Sequence, residues 1–283
     1  PIRELSLIAF PTRELFEEKL DQFDLVIFDR YRQRGVLPDI YLDNIARYVE
    51  EGGALLEGTG PASASPFSLY RTPLGRIMPS EPTGRILEEG FRPELTATGE
   101  RHPVTAGLPG AHDGDGGGPT WGRWFRLIDA SYGAGGGQAN EVVMQGPNQQ
   151  PLLILARFGK GRVAQLLSDH VWLWARGFEG GGPQAELLRR IAHWLMQEPD
   201  LEEEDLRAQV NGNRLEITRR SLSPDPVEIE VTLPSGQTRK LRLTEVGDGR
   251  QTAGLSIEEP GLYRVSDGTR TALAAAGALN PKE

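Results

Sequence analysis

The sequence predicts an α/β domain, with a mostly parallel sheet covered by helices on both faces, joined to a small all-β sandwich. In the first part of the chain, continuous apolar runs alternate with amphipathic stretches, a pattern typical of buried parallel strands and their covering helices. Beyond an acidic stretch at 198–206, short segments alternate apolar and polar residues instead. We therefore predict an α/β domain at 1–198 and a β-sandwich at 199–283.

The chain opens with a β-α-β pattern. The runs LSLIAF (5–10) and DLVIFD (24–29) are apolar enough to be buried strands, and the charged stretch at 12–20 favours a helix between them.

A longer amphipathic helix follows. Pro38 suits the start of a helix, and the next residues place Leu42, Ile45 and Val49 on one face. Gly52 can take the left-handed conformation that ends a helix. A third strand, ALLE, comes directly after it.

The second half of this domain contains a long insertion and then a hairpin. Residues 58–120 are rich in Gly, Pro and Ser, with a short strand candidate at 85–90, so we expect the insertion to pack over the sheet edge or over a site. Strands return at 140–146 and 151–168, where a Gly-Lys-Gly turn at 159–161 predicts an antiparallel hairpin. The last helix, 183–197, has apolar residues at helical spacing: Leu187, Leu188, Ile191, Trp194 and Leu195.

The last 80 or so residues have a pattern typical of an antiparallel β-sandwich. The segments NRLEIT, VEIEVTL, RKLRLT and GLYRVS alternate apolar and polar residues, with turns at 234–236 and 267–268. Their number and spacing are most like an immunoglobulin or fibronectin type III module.

Composition excludes several classes of function. The 283 residues include 31 Lys and Arg against 40 Asp and Glu, a net charge of -9, which argues against a nucleic-acid partner or an anionic membrane surface. The absence of Cys rules out thiol catalysis, disulfides and Cys-ligated zinc. No apolar run approaches the roughly 20 residues of a membrane helix. We predict no cofactor and no metal.

The turn Gly58-Thr59-Gly60 is the first candidate site, because ligands bind where the strands of an open α/β sheet end. It could be a nucleophile elbow, a phosphate-binding loop or a plain turn. Pro61 and Pro66 interrupt the helix that a phosphate loop requires, which argues against that function. A structural turn is the simplest interpretation.

His170 is the second candidate, since it follows the last strand, a position from which an imidazole can act as a general base. Asp169 is adjacent in sequence, and neighbours on an extended chain point apart, so it is not predicted to orient the ring. A histidine hydrogen-bonded to the loop backbone is the alternative. A hydrolase acting on a small amide or sugar would need His170 together with an acid such as Asp169 or Glu57.

Two further groups are candidates for ligand binding. His102 stands before a proline and is expected to anchor a loop, and no second ligand at metal spacing accompanies it. The aromatic clusters around Trp121 and Trp124, and around Trp172 and Trp174, could form a stacking platform. Packing in the core is the favoured interpretation.

The passages YLDNIARYVEEGGALLEGTGP, RHPVTAGLP and GKGRVAQLLSDHVWLWARG together resemble the class I glutamine amidotransferase-like fold. More narrowly, residues 1 to about 198 resemble the divergent version found in bacterial membrane proteins. In active members of that superfamily, a Cys in a Gly-x-Cys-x-Gly elbow is the nucleophile, a His activates it, and a Glu two residues later orients the His. Here Thr59, His170 and Trp172 stand at the matching positions.

The resemblance therefore implies a catalytically inactive binding or interaction domain, in the soluble extracytoplasmic part of a bacterial membrane protein. Its expected partners are other envelope proteins or a small ligand, with membrane attachment through segments outside this chain. The expected location is the periplasmic side of the inner membrane, with the cytoplasm as the alternative. A hydrolase using His170 as base, and a purely structural spacer, are the alternative functions.

Overall fold

The computed structural model describes residues 10–132 and 140–277, which fall into two compact units. Unit one comprises the residues up to Thr96 together with Leu108–Glu198, and unit two comprises Ala97–Gly107 together with the residues from Pro199 onward. The strand predicted at 5–10 falls almost entirely outside the described residues.

Unit one combines short helices with two sheets. Its described α-helices are α1 Asp39–Glu51, α2 Trp172–Ala175 and α3 Gln184–Leu195. Its described strands are β1 Val26–Asp29, β2 Ala54–Gly58, β3 Ser80–Leu87, β4 Glu94–Leu95, β5 Leu127–Tyr132, β6 Asn140–Gln145, β7 Pro151–Phe158 and β8 Gly161–Leu166.

The main sheet has the order β1-β2-β8-β7-β6-β4 and is mixed. β1, β2 and β8 are parallel, while β7, β6 and β4 join through antiparallel pairs. The prediction of an α/β domain is confirmed, but the expectation of a mostly parallel sheet is corrected. The reason is the pair of short connections before β7 and before β8, since a tight turn can join only antiparallel neighbours.

The parallel strands and α1 share one apolar core. Val26, Leu55 and Val163 lie side by side in register on β1, β2 and β8, and therefore on one face of the sheet. The buried face of α1 packs in the same cluster. That face carries the predicted residues Leu42, Ile45 and Val49, all fully buried, so the helix and its orientation are confirmed. α3 contacts β2 and β8 as well.

Gly161 allows the close approach of the β7–β8 hairpin to the end of α1. A Cβ at this position would overlap the carbonyl oxygens of Val49 and Gly53. Both contacts are with backbone, which cannot move aside as a flexible side chain can.

We expect Gly161→Ala to destabilise unit one by about 2 kcal/mol, because the added methyl group displaces the α1 terminus or the hairpin. The measurement is urea unfolding followed by tryptophan fluorescence, since all five tryptophans belong to unit one. Gly118→Ala is the control: a Cβ there meets nothing within 4 Å, and the glycine has a φ of -84°. Equal stability of the two variants would contradict this packing.

Unit two is built from two four-stranded antiparallel sheets, with the orders β13-β14-β10-β9 and β12-β11-β15-β16. Side chains of both sheets share one core, which includes Leu215, Ile217, Val231 and Tyr263. The four predicted strands match β10, β11, β12 and β15. The strands are β9 Asp205–Asn211, β10 Arg214–Arg220, β11 Glu228–Thr232, β12 Thr238–Arg242, β13 Thr244–Gly247, β14 Arg250–Ser256, β15 Gly261–Ser266 and β16 Thr271–Ala276.

Candidate functional site

The candidate site lies in unit one, at the edge where the parallel strands end. β2 runs into Thr59 and Gly60, and the adjacent β8 runs into the segment 168–170. The chain after β2 forms short 3-10 turns at Pro61–Ala64 and Leu69–Arg71, and these turns face β3 across a cleft.

Thr59 is part of the sheet pairing. Its backbone N–H and its hydroxyl both donate to the carbonyl oxygen of Leu166, at 2.9 and 3.0 Å, and the residue is 1% exposed. The hydroxyl is therefore buried, with its proton engaged by β8. This arrangement extends the β2–β8 pairing by one residue and leaves no accessible nucleophile at this position.

Of the two flanking glycines, Gly60 is explained by a close contact with the residue that follows β1. A Cβ on Gly60 would lie 3.1 Å from the Arg30 side chain, and a Cβ on Gly58 would lie 3.5 Å from Asp29 Oδ1. Gly60, predicted as a ligand-binding candidate, thus allows Arg30 to approach the turn, whereas a Cβ on Gly58, also a predicted candidate, would make only an ordinary van der Waals contact.

His170 is held by the protein backbone. The N–H of Phe125 donates to its Nδ1 at 3.0 Å, so Nδ1 carries the lone pair and the neutral ring carries its proton on Nε2. Burial lowers the pKa of His170 below its ordinary value, nearby Asp169 opposes that effect, and Arg126 adds to it. A general base needs a free lone pair, and the ring offers an N–H donor instead.

Asp169 is hydrogen-bonded to Arg126 and not to His170. Its carboxylate accepts two hydrogen bonds from Arg126 Nη1, at 3.1 and 3.2 Å, while His170 Nε2 lies 3.8 Å from Oδ1. Trp172, which the sequence resemblance matches to the third catalytic position, begins α2 and is 50% exposed. Among the described residues, His170 therefore forms no hydrogen-bonded acid–base pair.

The structure agrees with the favoured interpretation of core packing and argues against the alternative of a stacking platform, because three of these tryptophans are buried. Trp121, Trp124 and Trp174 are at most 3% exposed and pack against one another with ring centroids 4.8–5.2 Å apart. The indole N–H groups of Trp121 and Trp174 donate to the carbonyl oxygens of Pro109 and Gly122. Core packing is thus the role of this cluster, and Trp172 alone keeps an exposed ring.

His102 lies in unit two, in the segment 97–107. The fully buried ring accepts a hydrogen bond at Nδ1 from the Val104 N–H, and its Nε2 lies 3.5 Å from a carboxylate oxygen of Glu203. These contacts tie the segment to the beginning of the sandwich, which agrees with a loop-anchoring residue.

A buried polar chain lies beneath the strand ends. Glu57 on β2 and Gln165 on β8 are neighbours in register, two residues beyond the apolar pair of Leu55 and Val163. Gln165 donates to Glu57 Oε2 at 2.7 Å and accepts a hydrogen bond from Ser80 at the start of β3. The chain therefore links β2 and β8 to β3.

Burial raises the pKa of Glu57 to about 7, and the hydrogen bond from Gln165 opposes this only in part. Relative to an ordinary value of 4.5, the shift corresponds to about 3 kcal/mol. In the unfolded chain Glu57 ionises near pH 4.5, whereas in the folded protein it stays protonated until about pH 7. The stability of unit one therefore falls as pH rises through this window.

The cleft has a volume of about 320 Å³. It is lined by residues of the two turns and of β3: Ser63, Ala64, Ser65, Ser68, Tyr70, Arg71, Glu81, Pro82 and Gly84. Ser63 is 4% exposed, and its side chain forms no hydrogen bond with any described residue. A hydroxyl in that state is available to a ligand in the cleft.

The cleft also holds a cation and an anion that do not pair. Arg71 and Glu81 both line it, yet they form no ion pair with each other or with any other residue in the described part of the chain. Tyr70 donates its hydroxyl proton to Glu81 at 3.2 Å, and burial together with Glu81 raises the pKa of Tyr70. Opposite charges thus stand in one cleft, with hydroxyl groups beside them.

Sequence reasoning missed most of this cleft. Its residues belong to the turns after β2 and to β3, which carry no catalytic or metal-binding motif. The available signal was the density of hydroxyl and charged residues in PASASPFSLYR, directly after a strand end.

Comparisons with known proteins give a fold likeness alone. A cytoplasmic protein from Salmonella typhimurium LT2 is similar over 63% of this chain and 74% of its own, with 21% identity and a TM-score of 0.50. A second cytoplasmic protein from Salmonella typhimurium is similar over 66% of this chain and 76% of its own, with 20% identity and a TM-score of 0.50.

The structural neighbours also include a protein from Parabacteroides merdae described as ThuA-like, with 14% identity and a TM-score of 0.39 over 62% of this chain and 71% of its own. No protein-family model matches the chain, and no curated protein sequence matches it.

We expect Glu57→Gln to stabilise unit one at alkaline pH, because the amide keeps the hydrogen bond from Gln165 without a charge to bury. The gain in the free energy of unfolding should be near zero at pH 4.5 and about 3 kcal/mol above pH 7. Urea titrations followed by tryptophan fluorescence across this range measure it.

Glu89→Gln is the matched control, since Glu89 is exposed and carries the same charge. Its effect should be small at every pH. A Glu57→Gln gain that does not change between pH 4.5 and pH 8 would show that Glu57 titrates normally.

Proposed function

We propose that unit one is a non-catalytic binding domain that takes a small polar ligand at the strand-end cleft. The observation that carries this proposal is that the side chains at both positions matched to the catalytic residues are hydrogen-bonded to backbone groups. Thr59 donates its hydroxyl proton to Leu166, and His170 accepts from Phe125. A hydrolase using His170 as base would first have to break the latter bond.

The charges in the cleft favour a zwitterionic ligand. A carboxylate group would pair with Arg71, whose guanidinium presents parallel N–H donors, and an ammonium group would pair with Glu81. The hydroxyl of Ser63 would complete the site. A free amino acid carries both charges and is small enough to fit a cleft of about 320 Å³.

The same proposal includes membership of the divergent glutamine amidotransferase-like group, and a flavodoxin-like layout with helices on both faces of the sheet. Both assignments rest on the sequence resemblance, with a mixed sheet of compatible order in support. The immunoglobulin-like assignment of unit two and a place in the extracytoplasmic part of a bacterial membrane protein rest on the sequence too. No helix among the described residues is long and apolar enough to cross a membrane.

The absence of catalysis is tested by incubating the purified chain with L-glutamine and measuring the ammonia released. We expect no release above the rate in buffer, because the Thr59 hydroxyl is buried and hydrogen-bonded, and the His170 ring has no free lone pair with which to activate a nucleophile. Turnover that Thr59→Ala or His170→Gln abolishes would overturn the proposal.

Binding is tested by calorimetric titration of the full chain with L-glutamine. We expect saturable binding that Arg71→Gln weakens about tenfold or more, because a charge-assisted hydrogen bond contributes about 1.5–3 kcal/mol. Arg34→Gln is the control, since Arg34 is an exposed residue of unit one without an ion pair to any described residue. Equal affinity of the two variants would exclude the cleft as the site.

A further inference from the structure

The outer face of one sheet in unit two contains a second cleft, of about 280 Å³. It is lined by side chains of three neighbouring strands: Asp205, Arg207 and Gln209 of β9, Glu216, Thr218 and Arg220 of β10, and Arg250 of β14. Their common face follows from the register, which places Arg220 opposite Asp205 on one side and opposite Arg250 on the other.

The pairing of Arg220 with Arg250 is unfavourable by itself. Like charges directly opposite on antiparallel strands repel each other. Burial lowers the pKa of Arg220, and the proximity of Arg207 and Arg250 lowers it further, against the opposing effect of Asp205. Arg220 is therefore a half-buried cation next to two other cations.

Three carboxylates near these arginines already form ion pairs. Asp205 pairs with Arg207, which also contacts Asp200, and Asp248 pairs with Arg250. Arg220 forms no ion pair with a carboxylate of the described residues.

Its Nη1 donates to the carbonyl oxygens of Asp200 and Glu202, at 2.6 and 3.4 Å. Its Nε and Nη2 donate to no described residue.

Arg219, the neighbouring arginine on the same strand, does have carboxylate partners. Arg219 points into the sandwich, where its guanidinium meets Asp267, Glu204 and Gln251. The fold thus satisfies the inward arginine with protein groups and leaves two donor groups of the outward one available at the cleft.

From this geometry we propose that the cleft binds a single oxyanion group, held by Arg220 and Arg250. A phosphoryl or carboxylate group presents two oxygens to the fork of a guanidinium, and an anion between the two side chains would turn their repulsion into attraction. Asp205 and Glu216 flank the cleft, so a polyanion is disfavoured and a ligand with one oxyanion group fits. This site is independent of the cleft in unit one.

The test is an NMR titration of the full chain with inorganic phosphate, against sodium chloride at equal ionic strength. We expect saturable shifts in arginine side-chain signals and in backbone amides of β9, β10 and β14. Arg220→Gln should weaken the apparent affinity about tenfold or more. Arg242→Gln should leave the affinity for phosphate unchanged, since Arg242 is exposed on β12 and its substitution removes the same charge.

A parallel titration with acetate identifies the form of the oxyanion. Shifts of the same signals by acetate support a carboxylate ligand, and shifts by phosphate alone support a phosphoryl ligand. The absence of saturable shifts with both anions would overturn the proposal, as would equal affinities of Arg220→Gln and Arg242→Gln. If Arg220→Gln loses the dispersed amide signals of unit two, Arg250→Gln decides: a severalfold loss of affinity supports the site, and an unchanged affinity refutes it.

Discussion

The pairing of β2 with β8 is the constraint on which the candidate site of unit one depends. These strands are distant in sequence, and five register pairs hold them parallel from Ala54 opposite Arg162 to Gly58 opposite Leu166. Thr59 extends the pairing with two hydrogen bonds to a single carbonyl oxygen. Because the two strands end together, the turn after β2 and the segment carrying His170 meet at one edge of the sheet.

The same pairing buries a titratable side chain. Continuing the register beyond Leu55 and Val163 brings Glu57 beside Gln165, where the carboxyl group is buried. An apolar pair at this level would avoid the cost of burying a carboxyl group, which is several kilocalories per mole for an unpaired charge. The polar chain does link β2 and β8 to Ser80, and thereby to the strand that forms one wall of the cleft.

Local patterns in the sequence predicted the elements that depend on local chemistry. The helix at 39–51, the hairpin around 159–161 and the strand at 261–266 follow from periodicity and turn residues within short windows. The turn at 159–161 predicted the antiparallel pairing of β7 with β8, but the extent of the antiparallel part, with β6 and β4 in the same sheet, was missed, because strand order depends on pairing between distant segments. The segment 97–107 has no periodic pattern, and it joins unit two through contacts such as that of His102 with Glu203.

The site was harder to predict than the fold for the same physical reason. The partner of the Thr59 hydroxyl lies 107 residues away, and the partner of the His170 ring lies 45 residues away. Motif spacing indicates which residue types stand at a position, but it carries no information on whether a hydroxyl or an imidazole nitrogen is already hydrogen-bonded. The tryptophans illustrate this point again, since the same aromatic spacing suits a binding platform and a packed core.

The proposal of a non-catalytic binding domain depends most on the His170 ring, whose Nδ1 accepts a hydrogen bond from Phe125 and whose Nε2 carries the proton. The most direct measurement is the ¹⁵N chemical shift of both ring nitrogens of His170 as a function of pH. We expect the Nε2–H tautomer at pH 7, with an Nδ1 shift typical of an unprotonated acceptor, and a pKa below the ordinary value of 6.5. A ring protonated at Nδ1, or one that titrates above 6.5, would contradict the account.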